Sequence, residues 1–293
     1  MTAAADTVRA GLARRRQGVL SRAWSFVRHH TLTVFALLAF VYLLLPIAVV
    51  VAFSFNDPVG RFNFAWQGFT LDNWTHPFDY PDLGGAVRLS IEIAVLSSVI
   101  ATAIGTLMAL ALVRYQFRGG GATNLLIFLP MATPEIVMGS SLLTLFLNQG
   151  PFGLFGFKLG FTTILIAHIM FNISYVVVTV RARLAGYDRH LEEAAMDLFA
   201  NPWTTFTRVT LPLIAPGILA AGLLAFALSV DDFVITYLVA GPDQTFPLFV
   251  WGAARVAVPP QINVIGSAIF FIAIAVMVAN VAWQWRRQPK GAV

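Results

Sequence analysis

The sequence predicts an all-α membrane protein with about six transmembrane helices and both termini in the cytoplasm, on three observations. Of the 293 residues, 58% are hydrophobic and only 11% are charged, whereas a soluble globular domain has about 25% charged residues. Six apolar stretches are each long enough to cross about 30 Å of hydrocarbon as a helix. The basic residues are concentrated in alternate connections between these stretches.

The six stretches form one transmembrane domain, 31–285, between a basic N-terminal segment, 1–30, and a short tail, 286–293. Each stretch is expected to be helical because lipid offers the backbone no hydrogen-bond partners, and prolines within them are expected to kink the helices. The first stretch exceeds the core of a secretory signal, which has about 7–15 residues, so we expect an uncleaved helix. The stretches are 31–53, 85–113, 122–147, 161–180, 213–240 and 262–285.

The distribution of basic residues predicts the orientation. Fifteen of the nineteen Lys and Arg residues lie in the N-terminal segment, the second and fourth connections, or the tail. The other four are Arg61, Arg88, Lys158 and Arg255. By the positive-inside rule, this asymmetry places both termini in the cytoplasm. It also accounts for the net charge of +5 without a nucleic-acid partner.

The connection between the fourth and fifth stretches, 187–212, has more helical signals than a plain linker. Asp188 is a candidate N-cap, and apolar residues at helical spacing follow it. Asn201 followed by Pro202 predicts a second helix start, and Pro212 is expected to end that helix. We therefore expect two short amphipathic helices on the cytoplasmic side. They either rest on lipid or dock a cytoplasmic protein, and the mixed charges of their polar face favour a protein.

This connection resembles the EAA loop of inner-membrane permeases of binding-protein-dependent (type I) ABC importers. The residues that carry the resemblance are Glu193, Ala194, Ala195, Phe206, Val209, Leu211, Pro212 and Pro216. The family usually has glycine where this chain has Phe199, which is the one departure in the loop. The resemblance covers the chain from the second stretch onward and, more loosely, the first.

The resemblance implies a location in the bacterial inner membrane and a set of partners. These are a second, homologous permease subunit, two cytoplasmic ATPase subunits that bind ATP and Mg, and an extracytoplasmic solute-binding protein. It also implies that the loop docks onto an ATPase. The residues expected to contact the ATPase are Glu192, Glu193, Ala194, Ala195, Asp197, Phe199, Asn201, Pro202 and Trp203.

The C-terminal third is similar to the spermidine/putrescine branch of these permeases, which implies a small cationic solute. The residues that carry this likeness are Ser229, Asp231, Asp232, Phe233, Val234, Gly241, Pro242, Thr245, Pro247, Leu248, Arg255, Pro260, Ile262 and Asn263. Ala257, Pro259 and Gln261 depart from it. The substrate alternatives left open are other organic cations, metal chelates and small zwitterions.

Four carboxylates fall inside apolar stretches, where an ionised group is expected to face a pathway or a partner. Glu92 has Arg88 one turn earlier, so it either pairs with that residue or serves transport. Glu135 is expected near the middle of the third helix. Asp231 and Asp232 are expected in the outer part of the fifth, about 100° apart, so that at most one faces a pore squarely.

Two interpretations of Asp231 and Asp232 stay open. They either pair with a base on another helix or subunit, or line a pathway where low dielectric strengthens the attraction of a cation. Neighbouring aromatic rings could add cation–π contacts. His168 is expected to form hydrogen bonds between helices. The predicted pathway residues are Glu135, Asp231, Asp232, Phe233, Tyr237 and Trp251.

The sequence has no catalytic motif of its own. It contains no Walker A stretch, no hydrolase motif and no cysteine. We therefore expect no catalytic residue and no cofactor or metal bound by this chain, with ATP hydrolysed by partner subunits. The alternative classes are an ion-coupled secondary transporter, which would need internal inverted repeats that the two halves do not display, and a membrane scaffold or receptor.

Overall fold

The structure is a computed structural model that describes residues 31–115, 118–147, 156–186 and 188–287. These residues are helical or irregular, and an isolated antiparallel bridge joins Asn56 to Phe69. The predicted N-terminal segment, Tyr187 and residues 288–293 of the tail lie outside the described part of the chain.

Five described helices are long and apolar enough to cross a membrane, or six spans if a sharply bent pair counts as one. This agrees with the six predicted stretches. The long helices are α1 (Thr31–Phe53), α3 (Leu83–Arg114), α6 (Phe161–Ala185), a continuous helix Pro202–Asp231, and α12 (Pro260–Arg287). The shorter helices are α2 (Asp72–Thr75), α4 (Gly120–Ala132), α5 (Glu135–Leu147), α7 (His190–Asp197), α10 (Val234–Val239) and α11 (Phe246–Val256).

The third stretch is broken, so the prediction of one kinked helix there is wrong. α4 ends at Ala132 and α5 begins at Glu135, and the two are bent by 108°. The break is at Pro134, which disfavours the helical conformation in the residue before it. That residue, Thr133, is extended with ψ 132°. Glu135 consequently lies in the first turn of α5 and not in the middle of a helix.

The fifth stretch also differs from its prediction at both ends. Its helix begins at Pro202 and passes through α8 (Pro202–Thr205), a π-helical turn (Phe206–Thr210) and α9 (Leu211–Asp231). Pro212 does not end it, because a proline near the start of a membrane helix is tolerated when neighbours satisfy the freed groups. At the other end, Asp232 turns extended with ψ 122°, and α10 follows as a separate short helix.

The described residues form two compact units. One contains the chain up to Pro77 together with the chain from Pro259 onward, and the other contains Phe78–Val258. In the first unit, the loop after α1 is fixed by buried amides: Asn56 donates to Asn63 Oδ1 at 2.6 Å, and Asn73 donates to the Asn56 carbonyl at 2.8 Å.

The second unit is built on α3, α6 and α9, which pack against one another along most of their lengths. Small residues make this possible, as is usual where membrane helices approach closely. A Cβ added to Gly105 of α3 would lie 2.6 Å from Val176 Cγ1 of α6. A Cβ on Gly217 of α9 would lie 2.6 Å from Arg183 Cγ. α5 and α10 pack against the other half of α6, in a second buried cluster that includes Ile164 and Ile235.

Candidate functional site

The connection between α6 and α9 forms the first predicted short helix, α7, while the second begins at Pro202 as predicted but continues into α9. α7 begins at His190 with Arg189 at the N-cap position, one residue later than predicted. Asp188 Oδ1 accepts the His190 backbone N–H at 3.0 Å and contacts its ring Nδ1 at 2.7 Å. The bonds from His190 lower the pKa of the Asp188 carboxyl, and that carboxylate raises the pKa of His190. Asn201 caps α8 as predicted, because its side chain accepts the Thr204 N–H at 2.8 Å.

α7 ends in a Schellman motif with phenylalanine at its left-handed position. The Ala200 N–H donates to the Ala195 carbonyl at 3.1 Å, and the Phe199 N–H donates to the Met196 carbonyl at 2.9 Å, which is the hydrogen-bond pattern of this motif. Phe199 has φ 62°. Glycine is the usual residue there, and a side chain in this conformation costs about 1–2 kcal/mol. Phe199 therefore adopts the same left-handed turn as the glycine that the family usually has at this position.

A polar cluster ties α7 to the end of α3. The Arg114 guanidinium donates to Glu192 Oε1 and, at 3.4 Å, to Thr210 Oγ1. The Thr210 hydroxyl donates to the same Glu192 oxygen at 2.6 Å. Arg189 of the N-cap donates to the carbonyl of Val113 at 2.7 Å. α7 is therefore held on α3 by two separate contacts.

The nine predicted ATPase-contact residues divide by exposure. Glu192 has a side chain that is only 18% exposed and a partner within the chain. Its contact with an ATPase stays a prediction, and the structure adds a role in positioning α7. Ala195 is also half-buried. The exposed members are Glu193, Ala194, Asp197, Phe199, Asn201, Pro202 and Trp203.

The break between α4 and α5 and the break between α9 and α10 line one cavity of about 380 Å³. Thr133 and Pro134 line it from the first break, and Asp232 and Phe233 line it from the second. Phe171 and Tyr175 of α6 contribute rings, and Glu135 and Asp231 contribute carboxylates. Four of the six predicted pathway residues therefore share this cavity: Glu135, Asp231, Asp232 and Phe233.

Asp232 is bound within the chain. Its Oδ2 accepts the backbone N–H of Thr236 at 2.8 Å and the hydroxyl of Thr236 at 2.6 Å, which caps the first turn of α10. His168 Nε2 lies 3.4 Å from the same oxygen, and the Asp232 side chain is only 6% exposed. His168 also contacts Ser229 Oγ at 2.6 Å through Nδ1. The expected interhelical role of His168 is confirmed, since it joins α6 to α9 and α10.

Asp231 and Glu135 are the carboxylates of this cavity that have no hydrogen bond or ion pair to any described residue. Both are exposed at the end of a broken helix. α4 and α9 end at the cavity while α5 and α10 begin there, so the partial charges of the helix ends offset one another and the negative charge of the cavity comes from its carboxylates. The cavity can accordingly accept positive charge.

The two remaining predicted pathway residues lie just outside the cavity lining. The Phe233 ring stacks on Tyr237 at 5.7 Å and contacts the Trp251 ring at 5.3 Å, measured between centroids. The guanidinium of Arg255 lies 4.7 Å from the Trp251 centroid. The Trp251 ring therefore already makes a cation–π contact with a cation of the chain itself.

Glu92 lies outside the cavity, on the exposed surface of α3. Arg88 Nε donates to Glu92 Oε1 at 2.7 Å, and both side chains are exposed on α3. Of the two alternatives for Glu92, the structure contains the ion pair with Arg88.

Comparison with known proteins decides the family. Residues 101–285 match the family described as binding-protein-dependent transport system inner membrane component. The chain belongs to this family. The permease is 38% identical over 242 residues to the spermidine/putrescine transport system permease protein PotC of Escherichia coli (strain K12), covering 82% of this chain and 89% of the relative. It is 36% identical over 252 residues to the putrescine transport system permease protein PotI of the same strain, covering 85% and 88%.

A solved structure supports the fold. The permease matches a chain from the crystal structure of a bacterial ABC transporter involved in the import of the acidic polysaccharide alginate, with a TM-score of 0.65 and 17% identity. The match covers 92% of this chain and 99% of the other. At this identity the likeness establishes the fold, and the type I ABC importer permease fold is the one that the sequence predicts.

Sequence reasoning missed several residues that shape the permease's cavity. Met138, Phe171, Tyr175 and Leu228 line it but look like ordinary apolar residues of a membrane helix. The available signal was Pro134, since a proline that follows a β-branched residue in an apolar stretch marks a break as readily as a kink.

Proposed function

We propose that the permease forms, with a second permease subunit, the membrane pathway of an ATP-driven importer for small organic cations, with spermidine and putrescine as the substrates. The observation that carries this proposal is the cavity at the two helix breaks. Its carboxylates Glu135 and Asp231, which pair with no described residue, share the cavity with the aromatic rings of Phe171, Tyr175 and Phe233.

The chemistry of the cavity fits a polyamine better than an anion or a neutral solute. A carboxylate in a low-dielectric site attracts an ammonium group strongly, and two separated carboxylates suit a solute with more than one ammonium. The relatives whose names include spermidine and putrescine support the same substrates.

We further propose that the segment 188–205, which contains α7 and α8, couples ATP hydrolysis in the ATPase subunits to the permease. We call it the docking segment. In the proposed assembly, two cytoplasmic ATPase subunits bind ATP and Mg, and a solute-binding protein delivers the solute from the other side of the bacterial inner membrane. The exposed residues of the docking segment, Glu193 and Asp197 among them, contact the ATPase. The charge asymmetry that predicts cytoplasmic termini puts this segment on the cytoplasmic side.

Uptake of radiolabelled spermidine and putrescine tests the substrate. Cells that lack this gene should lose uptake and regain it with the wild-type gene. Restoring the gene with both Asp231→Asn and Glu135→Gln should raise the substrate concentration for half-maximal uptake by about tenfold, since two charge-assisted contacts are lost. Glu92→Gln is the matched control, because it neutralises a membrane carboxylate outside the cavity.

Two results would count against the proposal. Polyamine uptake that is unchanged without the gene would remove the substrate assignment. Normal half-maximal uptake in the doubly neutralised variant, at equal membrane levels, would remove the cavity from the pathway.

Co-purification with the ATPase tests the docking segment. Glu193→Lys should lower the amount of ATPase that co-purifies with the permease and the ATP hydrolysis of the complex, while membrane levels stay normal. Asp79→Lys, at an exposed carboxylate outside the segment, is the control. Equal recovery of ATPase with Glu193→Lys and the wild type would contradict the docking assignment.

A further inference from the structure

Phe199 occupies an unfavourable backbone conformation, and its ring is left uncovered by the rest of the described chain. Its φ of 62° is in the left-handed region, where glycine has no steric cost and phenylalanine does. Its side chain is 98% exposed. A strained residue persists where something else stabilises it, and such residues concentrate at binding surfaces. The two backbone hydrogen bonds of the Schellman motif hold the turn but leave the ring uncovered, so the ring is available to a partner.

The neighbours of Phe199 extend its apolar surface. Leu198 is 81% exposed and Trp203 is 73% exposed. The Trp203 ring is held against Phe206, with centroids 6.1 Å apart. Leu198, Phe199 and Trp203 thus form an apolar tip, with one aromatic ring already fixed in place. Large exposed apolar groups of this kind mark interaction sites, and aromatic residues are enriched at the centres of protein interfaces.

The charges around the tip discriminate between a lipid surface and a protein. From Leu191 to Trp203 the sequence contains three acidic residues and no basic one. Glu193 and Asp197 are exposed, and neither is in a salt bridge among the described residues. The anionic lipids of the cytoplasmic leaflet would repel this segment. A protein pocket with an apolar floor and a cationic rim would be complementary to it.

We propose that Phe199 is an anchor residue that inserts into an apolar pocket, rimmed by basic residues, on the cytoplasmic ATPase subunit. This inference rests on the proposed ATPase-docking function and adds the residue that supplies most of the contact. The Phe199 ring lies at the turn between α7 and α8 and is the most exposed large apolar side chain of the docking segment. Phenylalanine at this position makes the turn less stable, and insertion of its ring makes the complex with the ATPase tighter.

Binding of the ATPase to the permease in lipid nanodiscs tests the anchor. The permease pair is reconstituted, and its co-expressed ATPase subunit is titrated onto it. Phe199→Gly removes the ring and the backbone cost together, while Phe199→Ala removes only the ring. Both variants should weaken ATPase binding by about tenfold or more, as expected for an aromatic anchor. In thermal unfolding of the permease pair alone, Phe199→Gly should be at least as stable as the wild type.

Val59→Ala, at an almost fully exposed apolar residue in the loop after α1, is the control and should bind as the wild type does. Wild-type affinity in both Phe199 variants would overturn the anchor and leave the ring on lipid or in solvent. Weak binding by Phe199→Gly alone would overturn it too, because turn stiffness would then be the cause. Failure of the wild-type permease to bind the ATPase would instead overturn the docking function and the anchor with it.

Discussion

At the scale of single residues, the absence of a side chain sets how closely two helices approach. Gly105 of α3 faces Val176 of α6, and a Cβ there would lie 2.6 Å from one Val176 atom and 3.3 Å from the Ile173 carbonyl. In lipid, close approach of this kind provides the van der Waals contact that holds helices together.

We predict that Gly105→Ala destabilises the permease, although alanine favours helices. Overpacking of this kind costs about 1–3 kcal/mol. Gly85→Ala is the matched control: it lies in the same helix with nothing within 4 Å of its added Cβ, so it should be neutral or stabilising by about 0.5–1 kcal/mol. Thermal unfolding in detergent followed by tryptophan fluorescence would measure both, and equal midpoints for the two variants would contradict the packing argument.

Some residues of the site could be predicted from the sequence, and the contact between Asp232 and His168 could not. The EAA-like residues, the Asn201 cap and the acidic cavity residues could be found from the sequence, because charge in an apolar stretch and capping chemistry are local signals. The partner of Asp232 could not be found this way. His168 lies 64 positions away along the chain, and only the packing of α6 against α10 brings it within 3.4 Å.

At the scale of elements, α7 is joined both to the end of α3 and to the helix that follows it. Arg114 and Arg189 fasten it to α3, and Thr210 of the π-helical turn Phe206–Thr210 donates to Glu192. Movement of α7 is therefore expected to reach the α3–α6–α9 bundle through α3 and through the start of α9. The sequence predicted α7 and α8 but ended the second helix at Pro212, because a π-turn has no distinct residue pattern.

We predict that Arg114 and Glu192 are energetically coupled. Arg114→Glu and Glu192→Arg should each lower the ATP hydrolysis of the complex and the thermal stability of the permease, since each leaves a half-buried charge without its partner. Exchanging both should recover part of the loss. A double-mutant cycle on the unfolding midpoint should give a coupling of about 0.5–3 kcal/mol. Additive effects of the two single variants would rule out the Arg114–Glu192 contact as part of this fastening.

At the scale of the whole molecule, the number of spans followed from composition and length, while the breaks did not. The first break occurs at Pro134, which the sequence also allows as a kink, and the second occurs beside residues that look compatible with a helix. Both breaks are supported by packing of α5 and α10 against α6. Hydropathy averages over such breaks, so the third and fifth stretches appeared continuous.

The orientation is open to a direct test, because the chain has no cysteine. We predict that Gly60→Cys, in the loop after α1, reacts with a membrane-impermeant maleimide in intact cells. Gly186→Cys, at the end of α6, should react only after the membrane is permeabilised. Both positions are exposed and have room for a side chain. The opposite labelling pattern would invert the topology and place the docking segment away from the cytoplasm.

The 108° bend between α4 and α5 also has a consequence for biogenesis. Each half has 13 residues, or about 20 Å of helix, which is too short to cross the hydrocarbon alone. We therefore expect the insertion machinery to receive this stretch as one apolar segment. Its support, α10, is synthesised about a hundred residues later. A ribosome stalled before that point would carry a membrane-inserted nascent chain in which the cavity does not yet exist.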